Sequence, residues 1–266
     1  MKIIVCVKQV PDVKDVRIDE ESKTLMREGV SSIVNPFDEF ALEEALRIRE
    51  SSGGTVTVIT MGPPQAAAAL RRCLALGADQ AYHLCDRLFA GSDTLATSHV
   101  LAEAIRKIGF DLVLCGKQAI DGDTAQVGPE IAEHLGIPHC SYVRRIRLSK
   151  VPQKEIIVHS DLGYVVHVIK VCCPVLMTVV KYDNVPALPS IESFFEAKNK
   201  PIITWTAREL ERVLPYCGLE HSPTQVVDIY PPQASREGKL IQNDGEIVPA
   251  ILNFMRENGI IDEAGR

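Results

Sequence analysis

Short aliphatic runs alternate with amphipathic stretches through the first half of the chain. Residues 2–7 (KIIVCV), 55–61 (TVTVITM), 79–84 (DQAYHL) and 111–115 (DLVLC) are apolar segments bounded by Gly, Pro or Asp. That is the pattern of strands buried on both faces. Between them the apolar positions recur with a helical period. Phe37, Ala41, Ala45 and Ile48 share a face over 37–50, Ala67, Leu70 and Leu74 over 64–76, and Leu95, Val100, Leu101, Ala104 and Ile108 over 93–108. Asn35-Pro36 supplies a cap and a first-turn proline for the first helix, Pro63-Pro64 opens the second, and Ser92 or Asp93 caps the third. Alternation of this kind predicts a parallel sheet with helices on both faces.

Two regions depart from it. Residues 10–34 carry short extended pieces, Val16-Arg17-Ile18 and Thr24-Leu25-Met26, around a polar turn, which predicts a hairpin excursion after the first strand. After a loop at 116–123 and a helix at 124–135, longer extended runs follow at 141–149, 154–159, 164–170 and 175–181, which predict a hairpin-rich extension of the sheet. A short amphipathic helix at 190–199 leads to Ile202-Ile203, and the chain is rich in turns beyond Pro215. Residues 222–243, with Pro223, Pro231 and Pro232, read as an extended arm, and 245–258 as a terminal helix. An arm that buries so little of itself is expected to pack on another subunit.

Composition narrows the function classes. With 46% hydrophobic and 24% charged residues the chain is too apolar for disorder, yet no run approaches the ~18 apolar residues of a membrane span. The net charge of −6 and the scatter of Lys and Arg argue against nucleic acid as a partner. Eight cysteines occur without a C-x-x-C pair or zinc spacing, several of them inside apolar runs, which points to reduced thiols. Met1-Lys2-Ile3-Ile4-Val5 enters a strand directly, without a secretory leader, so the expected location is cytoplasmic.

In a parallel sheet, ligands bind where the loops gather at the carboxyl ends of the strands. Four segments are expected there: Cys6-Val7-Lys8, Asn35-Pro36-Phe37-Asp38, Met61-Gly62-Pro63, and Gly116 to Gly128. The last, within GKQAIDGDTAQVGPEIAEHLG, joins a strand to a helix expected to start at Asp123-Thr124-Ala125. Free amides and the helix dipole favour a phosphate at such a place, although an ordinary Asp123 cap and a packing role for Gly128 account for the residues equally well. Asp121-Gly122-Asp123 lacks the further oxygen ligands that a metal needs, and no G-x-G-x-x-G or G-x-S-x-G motif is present. The seven histidines are dispersed, and strand alternation places the Cys172 and Cys173 thiols on opposite faces. No catalytic constellation emerges.

The segments VCVKQVPD, VNPFDEFALEEALR, TMGPPQAAAALRRCLALGAD, LVLCGKQAIDGDTAQVGPEIAEHLGIP, VLMTVVK and SPTQVVDIYPP together resemble the β subunit of electron-transfer flavoproteins over nearly the full length. The resemblance implies an adenine-nucleotide α-hydrolase-like α/β domain at 1–185, with a β-hairpin extension. It also implies a docking loop, helix and C-terminal arm at 186–266 that pack on an α subunit. The nucleotide contacts it implies fall on Cys6, Asn35, Pro36, Phe37, Asp38 and Met61, on Gly116, Lys117, Gln118, Ala119 and Ile120, and on Asp121, Gly122, Asp123, Thr124, Ala125, Gln126 and Val127.

Ordinary members bind AMP at these positions. The loop Asp121-Gly122-Asp123-Thr124-Ala125-Gln126-Val127-Gly128 instead looks like the branch associated with nitrogen fixation and electron bifurcation, in which FAD replaces AMP. Gly122 and Ala125 would remove bulk where a pyrophosphate and flavin extend. Such a subunit exchanges a hydride with NAD(H), sends one electron to ferredoxin or flavodoxin and the other to the α-subunit FAD, and has no catalytic side chain of its own. Asp38 and Lys8 are candidates for tuning the flavin. The family's docking loop departs here: Asn184-Val185-Pro186-Ala187-Leu188-Pro189, with Ile191, lacks the usual Arg-Tyr. It reads either as a contact for a different flavin-dependent dehydrogenase, of the lactate or 2-hydroxyacid type in place of an acyl-CoA dehydrogenase, or as a neutral change.

Overall fold

A computed structural model describes residues 1–12, 17–18, 25–26, 31–148, 155–181, 186–228 and 247–261. The chain divides into two units, Met1–Ile229 and Tyr230–Arg266.

In the first unit the elements run β1 (Lys2–Cys6), β2 (Gln9–Pro11), β3 (Arg17–Ile18), β4 (Leu25–Met26), β5 (Ser32–Val34), α1 (Pro36–Ser52), β6 (Thr55–Met61), α2 (Ala67–Leu76), β7 (Gln80–Leu84), α3 (Thr94–Ile108), β8 (Leu112–Gly116) and α4 (Val127–Leu135). They continue with β9 (His139–Leu148), β10 (Glu155–Asp161), β11 (Val166–Cys172), β12 (Val175–Val179), α5 (Ile191–Asn199) and β13 (Ile202–Trp205). Nine strands form one sheet in the order β11-β10-β9-β12-β8-β1-β6-β7-β13. From β9 to β13 every neighbouring pair is parallel, while β10 and β11 extend the sheet antiparallel. This is the expected α/β class with its hairpin extension. The excursion after β1 is also present, as the antiparallel pairs β2–β5 and β3–β4.

Each face of the sheet carries its own core because the central strands bury side chains, mostly aliphatic, on both faces. Ile3, Val5, Val56, Val58, Leu112 and Leu114 pack under α1 and α2, whereas Ile4, Cys6, Ile59, Val113 and Cys115 pack under α3 and α4. Side chains such as Ile3, Ile4, Leu112 and Leu114 are buried completely, each worth about 1.5–3 kcal/mol of transfer free energy.

Three local expectations change. The helix expected at 124 starts at Val127, with Gln126 at the cap position and a turn over 119–123 in front of it. Asn35 makes no side-chain cap for α1, although Pro36 does open it, because its amide is committed elsewhere. Ile202-Ile203 belongs to β13, an edge strand parallel to β7, which brings residues 191–205 into the sheet and its helix layer. Asp93 caps α3 as expected, its carboxylate accepting from the Ala96 amide at 3.0 Å. In the second unit the described element is α6 (Ile247–Glu257), an amphipathic helix with none of its residues buried. Among the described residues no helix is long and apolar enough to cross a membrane.

Candidate functional site

The carboxyl ends of β1, β6 and β8 lie side by side, with Cys6 in register with Ile59 on one flank and Cys115 on the other. Asp38, in the first turn of α1, ties two of these ends together. Its carboxylate accepts from the Lys8 amide at 2.7 Å and from the Gly116 amide at 3.1 Å. A Cβ at position 116 would stand 2.2 Å from Asp38 Oδ1 and 2.8 Å from the Asp38 nitrogen, so only glycine lets helix and strand approach this closely. Burial pushes the Asp38 carboxyl up to about 7, against hydrogen bonds from Asn35, Lys8 and Gly116 that favour the ionised form.

Asn35 does for the loop what Asp38 does for the strands. Its backbone N–H donates to the Lys8 carbonyl at 2.8 Å, its side-chain N–H to the Gln118 carbonyl at 2.8 Å, and its side-chain oxygen accepts from the Ile120 amide at 3.2 Å. Asn35 and Asp38 are 1% and 6% exposed, so the α1 start and the loop after β8 form one hydrogen-bonded body. Farther along, the Lys8 ammonium pairs with Asp121 at 2.8 Å, and the Gln118 side chain donates to Asp123.

Between Asp123 and α4 the backbone is unusual. Asp123 and Ala125 have φ of 54° and 56°, the left-handed region that residues with side chains seldom occupy. Gln126 returns to right-handed values, φ −93° and ψ −38°. Adjacent left- and right-handed residues turn successive amides to one side, a concavity suited to an anion. Among the described residues, the backbone N–H groups of Thr124 to Gly128 meet no protein acceptor. A Cβ at Gly122 would meet nothing within 4 Å, so the space beside it is open, whereas one at Gly128 would stand 2.6 Å from Thr178 Cγ2. Gly128 is therefore a packing glycine that seats α4 on β12, and Gly122 is not.

The expected nucleotide residues thus converge on one end of the sheet: Cys6, Asn35 to Asp38, and Gly116 to Val127, with Met61 at the end of β6 one strand away. Cys6 is buried, and its hydrogen bond with the neighbouring Cys115, together with burial, holds the Cys115 thiol well above the ordinary value and disfavours its thiolate. Several participants carried no signal in the sequence. Thr94 Oγ1 lies 3.2 Å from both Gln126 Oε1 and Glu130 Oε1, linking the starts of α3 and α4, and burial raises the Glu130 carboxyl. Tyr142 N–H, on β9, donates to Thr178 Oγ1 on β12 at 3.2 Å, and Thr178 is the side chain against which Gly128 packs. Of the docking residues, Asn184 and Val185 lie outside the described residues. Leu188 and Ile191 are 83% and 80% exposed, and the Ala187 amide donates to Glu43 at 3.3 Å, anchoring the segment to α1.

A profile of the electron transfer flavoprotein domain matches residues 22–210. The chain belongs to the electron-transfer flavoprotein family. It is 51% identical to the electron transfer flavoprotein subunit beta of Thermoanaerobacterium thermosaccharolyticum over 96% of each chain. It is 46% identical to subunit CarD of the caffeyl-CoA reductase–Etf complex of Acetobacterium woodii, over 98% of this chain and all of that one. Protein FixA of Sinorhizobium fredii is 45% identical, over 92% of this chain and 87% of its own. The likeness read from the sequence motifs therefore holds, and the chain is a β-type subunit of an electron-transfer flavoprotein.

Proposed function

We propose that this chain is an FAD-binding β subunit that works with an α subunit in an electron-transfer flavoprotein of the bifurcating kind. The observation that carries this reading is the loop from Asp121 to Gly128, where unengaged amides adjoin open space at Gly122. A site that held AMP alone would need only the amides. The amides of Thr124 to Gly128 and the positive end of α4 would hold the phosphates, with Ala125 offering little side-chain bulk. Asn35 and Asp38 would keep the loop closed on the β1 and β8 ends, and Cys6 and Met61 would line the wall. Bound there, FAD supplies the redox chemistry: hydride exchange with NAD(H), and division of the electron pair between ferredoxin or flavodoxin and the α-subunit FAD. The likeness to FixA and CarD supports the same branch.

Residues 186–228 and the arm after them are proposed to serve partners, with Pro186 to Pro189 and Ile191 meeting a flavin-dependent dehydrogenase. Leu188 and Ile191 are the exposed apolar anchors of that contact.

Cofactor analysis of the purified αβ pair tests the assignment. Two FAD per heterodimer, with flavin bleaching on addition of NADH, is the expected result. One FAD and one AMP, with no bleaching, would move the chain to the AMP-binding, non-bifurcating class.

A further inference from the structure

Three rings from three segments stack across α3 and α4. The His99 ring, on α3, has its centroid 3.7 Å from that of His134 on α4, at 27° to it, and 4.8 Å from that of Tyr216, at 15°. Tyr216 ends a 3-10 helix, Glu211–Tyr216, in the stretch of chain that precedes the second unit. Ser98 fixes one of the rings. Its hydroxyl donates its only proton to the Leu95 carbonyl at 2.7 Å, so at 3.0 Å it accepts from His134 Nε2–H. Neutral His134 is thereby assigned its proton on Nε2. None of the three residues is fully buried, so solvent protons reach the stack.

The other fastenings of this stretch are apolar or join uncharged groups. Val213 and Cys217 sink into the core, Gly218 N–H donates to Ser92 Oγ at 2.8 Å, Leu219 N–H to the Ala90 carbonyl at 3.1 Å, and Asp93 N–H to Ser222 Oγ at 2.9 Å. The Asp93 carboxylate also holds Thr224; burial pushes it up, but hydrogen bonds from Ala96 and Thr224 outweigh this and keep it below the ordinary 3.8. The stack differs because its rings titrate near neutrality. Burial keeps His99 below the ordinary 6.5, and burial, then His99 and Arg106, keep His134 below it against the pull of Glu133. Arg106 itself donates to the His134 carbonyl at 2.7 Å and pairs with Glu103. From the 3-10 helix the facing group, among the described residues, is the Tyr216 ring. On α4, burial raises the Glu130 carboxyl, so acid removes a buried charge there and acts with the opposite sign.

We propose that the His134–His99–Tyr216 stack is a pH-sensitive latch, which holds residues 214–222 on α3 and α4 while both imidazoles are neutral and loosens them when one takes a proton. The sign follows from the depressed values: folding favours the neutral rings, so the hold is complete above 6.5 and is lost as pH falls through the lower folded values. Acid thus loosens the base of the C-terminal arm while the sheet, whose core is aliphatic, stays closed. The latch is independent of which nucleotide the chain binds.

The test is amide hydrogen exchange in the αβ complex at about pH 7.5 and about pH 5.5, corrected for the intrinsic pH dependence of exchange. The amides of Gly218, Leu219 and Ser222 are expected to open up to about tenfold more often at the lower pH, the limit for one imidazole that must be neutral, with β1 and α1 unchanged. His99→Phe, which keeps a ring in the stack but takes no proton, is expected to abolish the difference, and Tyr216→Leu to raise opening at both pH values. Glu130→Gln is expected to leave the response in place. Imidazole NMR of the wild-type complex provides a check that needs no variant: His99 and His134 should titrate below 6.5, with the Tyr216 ring signals moving in step. Equal opening at the two pH values, a rise spread evenly over the chain, an undiminished response in His99→Phe, or Tyr216 signals that stay still would each overturn the latch.

Discussion

Asp38 and Gly116 act as a single joint, since the carboxylate of one occupies the place where the other would carry a side chain. Gly116→Ala is expected to cost roughly 1–3 kcal/mol through overpacking, read as a lower denaturant midpoint with an unchanged m-value. Asp38→Asn would turn an NH2 group toward an amide donor, either that of Lys8 or that of Gly116, at a similar cost of roughly 1–3 kcal/mol. Asp38 also makes stability depend on pH. Its folded-state value near 7 lies above the ordinary 3.8, so the protonated form is favoured by folding. The associated stability is complete below the ordinary value and is lost as pH rises through about 7. Denaturation across that interval should show the wild type losing stability relative to Asp38→Asn as pH rises, and parallel profiles would contradict the assignment.

At the scale of elements, the start of α3 shows how one side chain can fasten two segments. Asp93 caps the helix through Ala96 and accepts from both the backbone and the hydroxyl of Thr224, at 2.9 and 2.8 Å. Asp93→Ala is expected to cost about 0.5–2 kcal/mol and to speed hydrogen exchange selectively around 222–228. In the docking segment, Leu188→Ala should slow electron transfer to the dehydrogenase and leave NADH-driven flavin reduction unchanged, because Leu188 projects from the surface and props up no core. Equal loss of both rates would argue against a docking role. Asp93 and Pro36 were legible in the sequence because capping is local, and the apolar runs of β1, β6 and β8 because period and burial agree. The start of α4 was not, since Asp123-Thr124 has the chemistry of a cap while left-handed backbone at Asp123 and Ala125 delays the helix to Val127. Nor could Tyr142 be found, for the bulge in β9 answers to the register of two neighbouring strands and leaves no trace in its own residue type. Asn35 reads in the sequence as the cap of α1, whereas its side chain reaches across 83 residues to Gln118 instead.

The molecule as a whole is more than its sheet. The first unit carries two complete cores, whereas α6 exposes Val248, Ile251 and Leu252 at helical spacing and buries nothing. Removing residues 230–266 is therefore expected to leave the melting temperature of the remainder within a few degrees of the full chain and to abolish co-elution with the α subunit. Retained co-elution would show that the arm is not the subunit tether. The order of strands has a consequence for how the chain comes to be folded. β1 is synthesised first, yet it lies in the middle of the sheet, paired with β8 from Ile3 opposite Leu112 to Cys6 opposite Cys115. Lys2 meets its partner Asp111 only across a separation of 109 residues. At about 5–20 residues per second, a ribosome keeps the first strand waiting roughly 5–20 s for its neighbour, with one edge open throughout. A newborn chain of this topology thus carries its first strand with an open edge until β8 arrives, and closure of the sheet on that side is paced by β8.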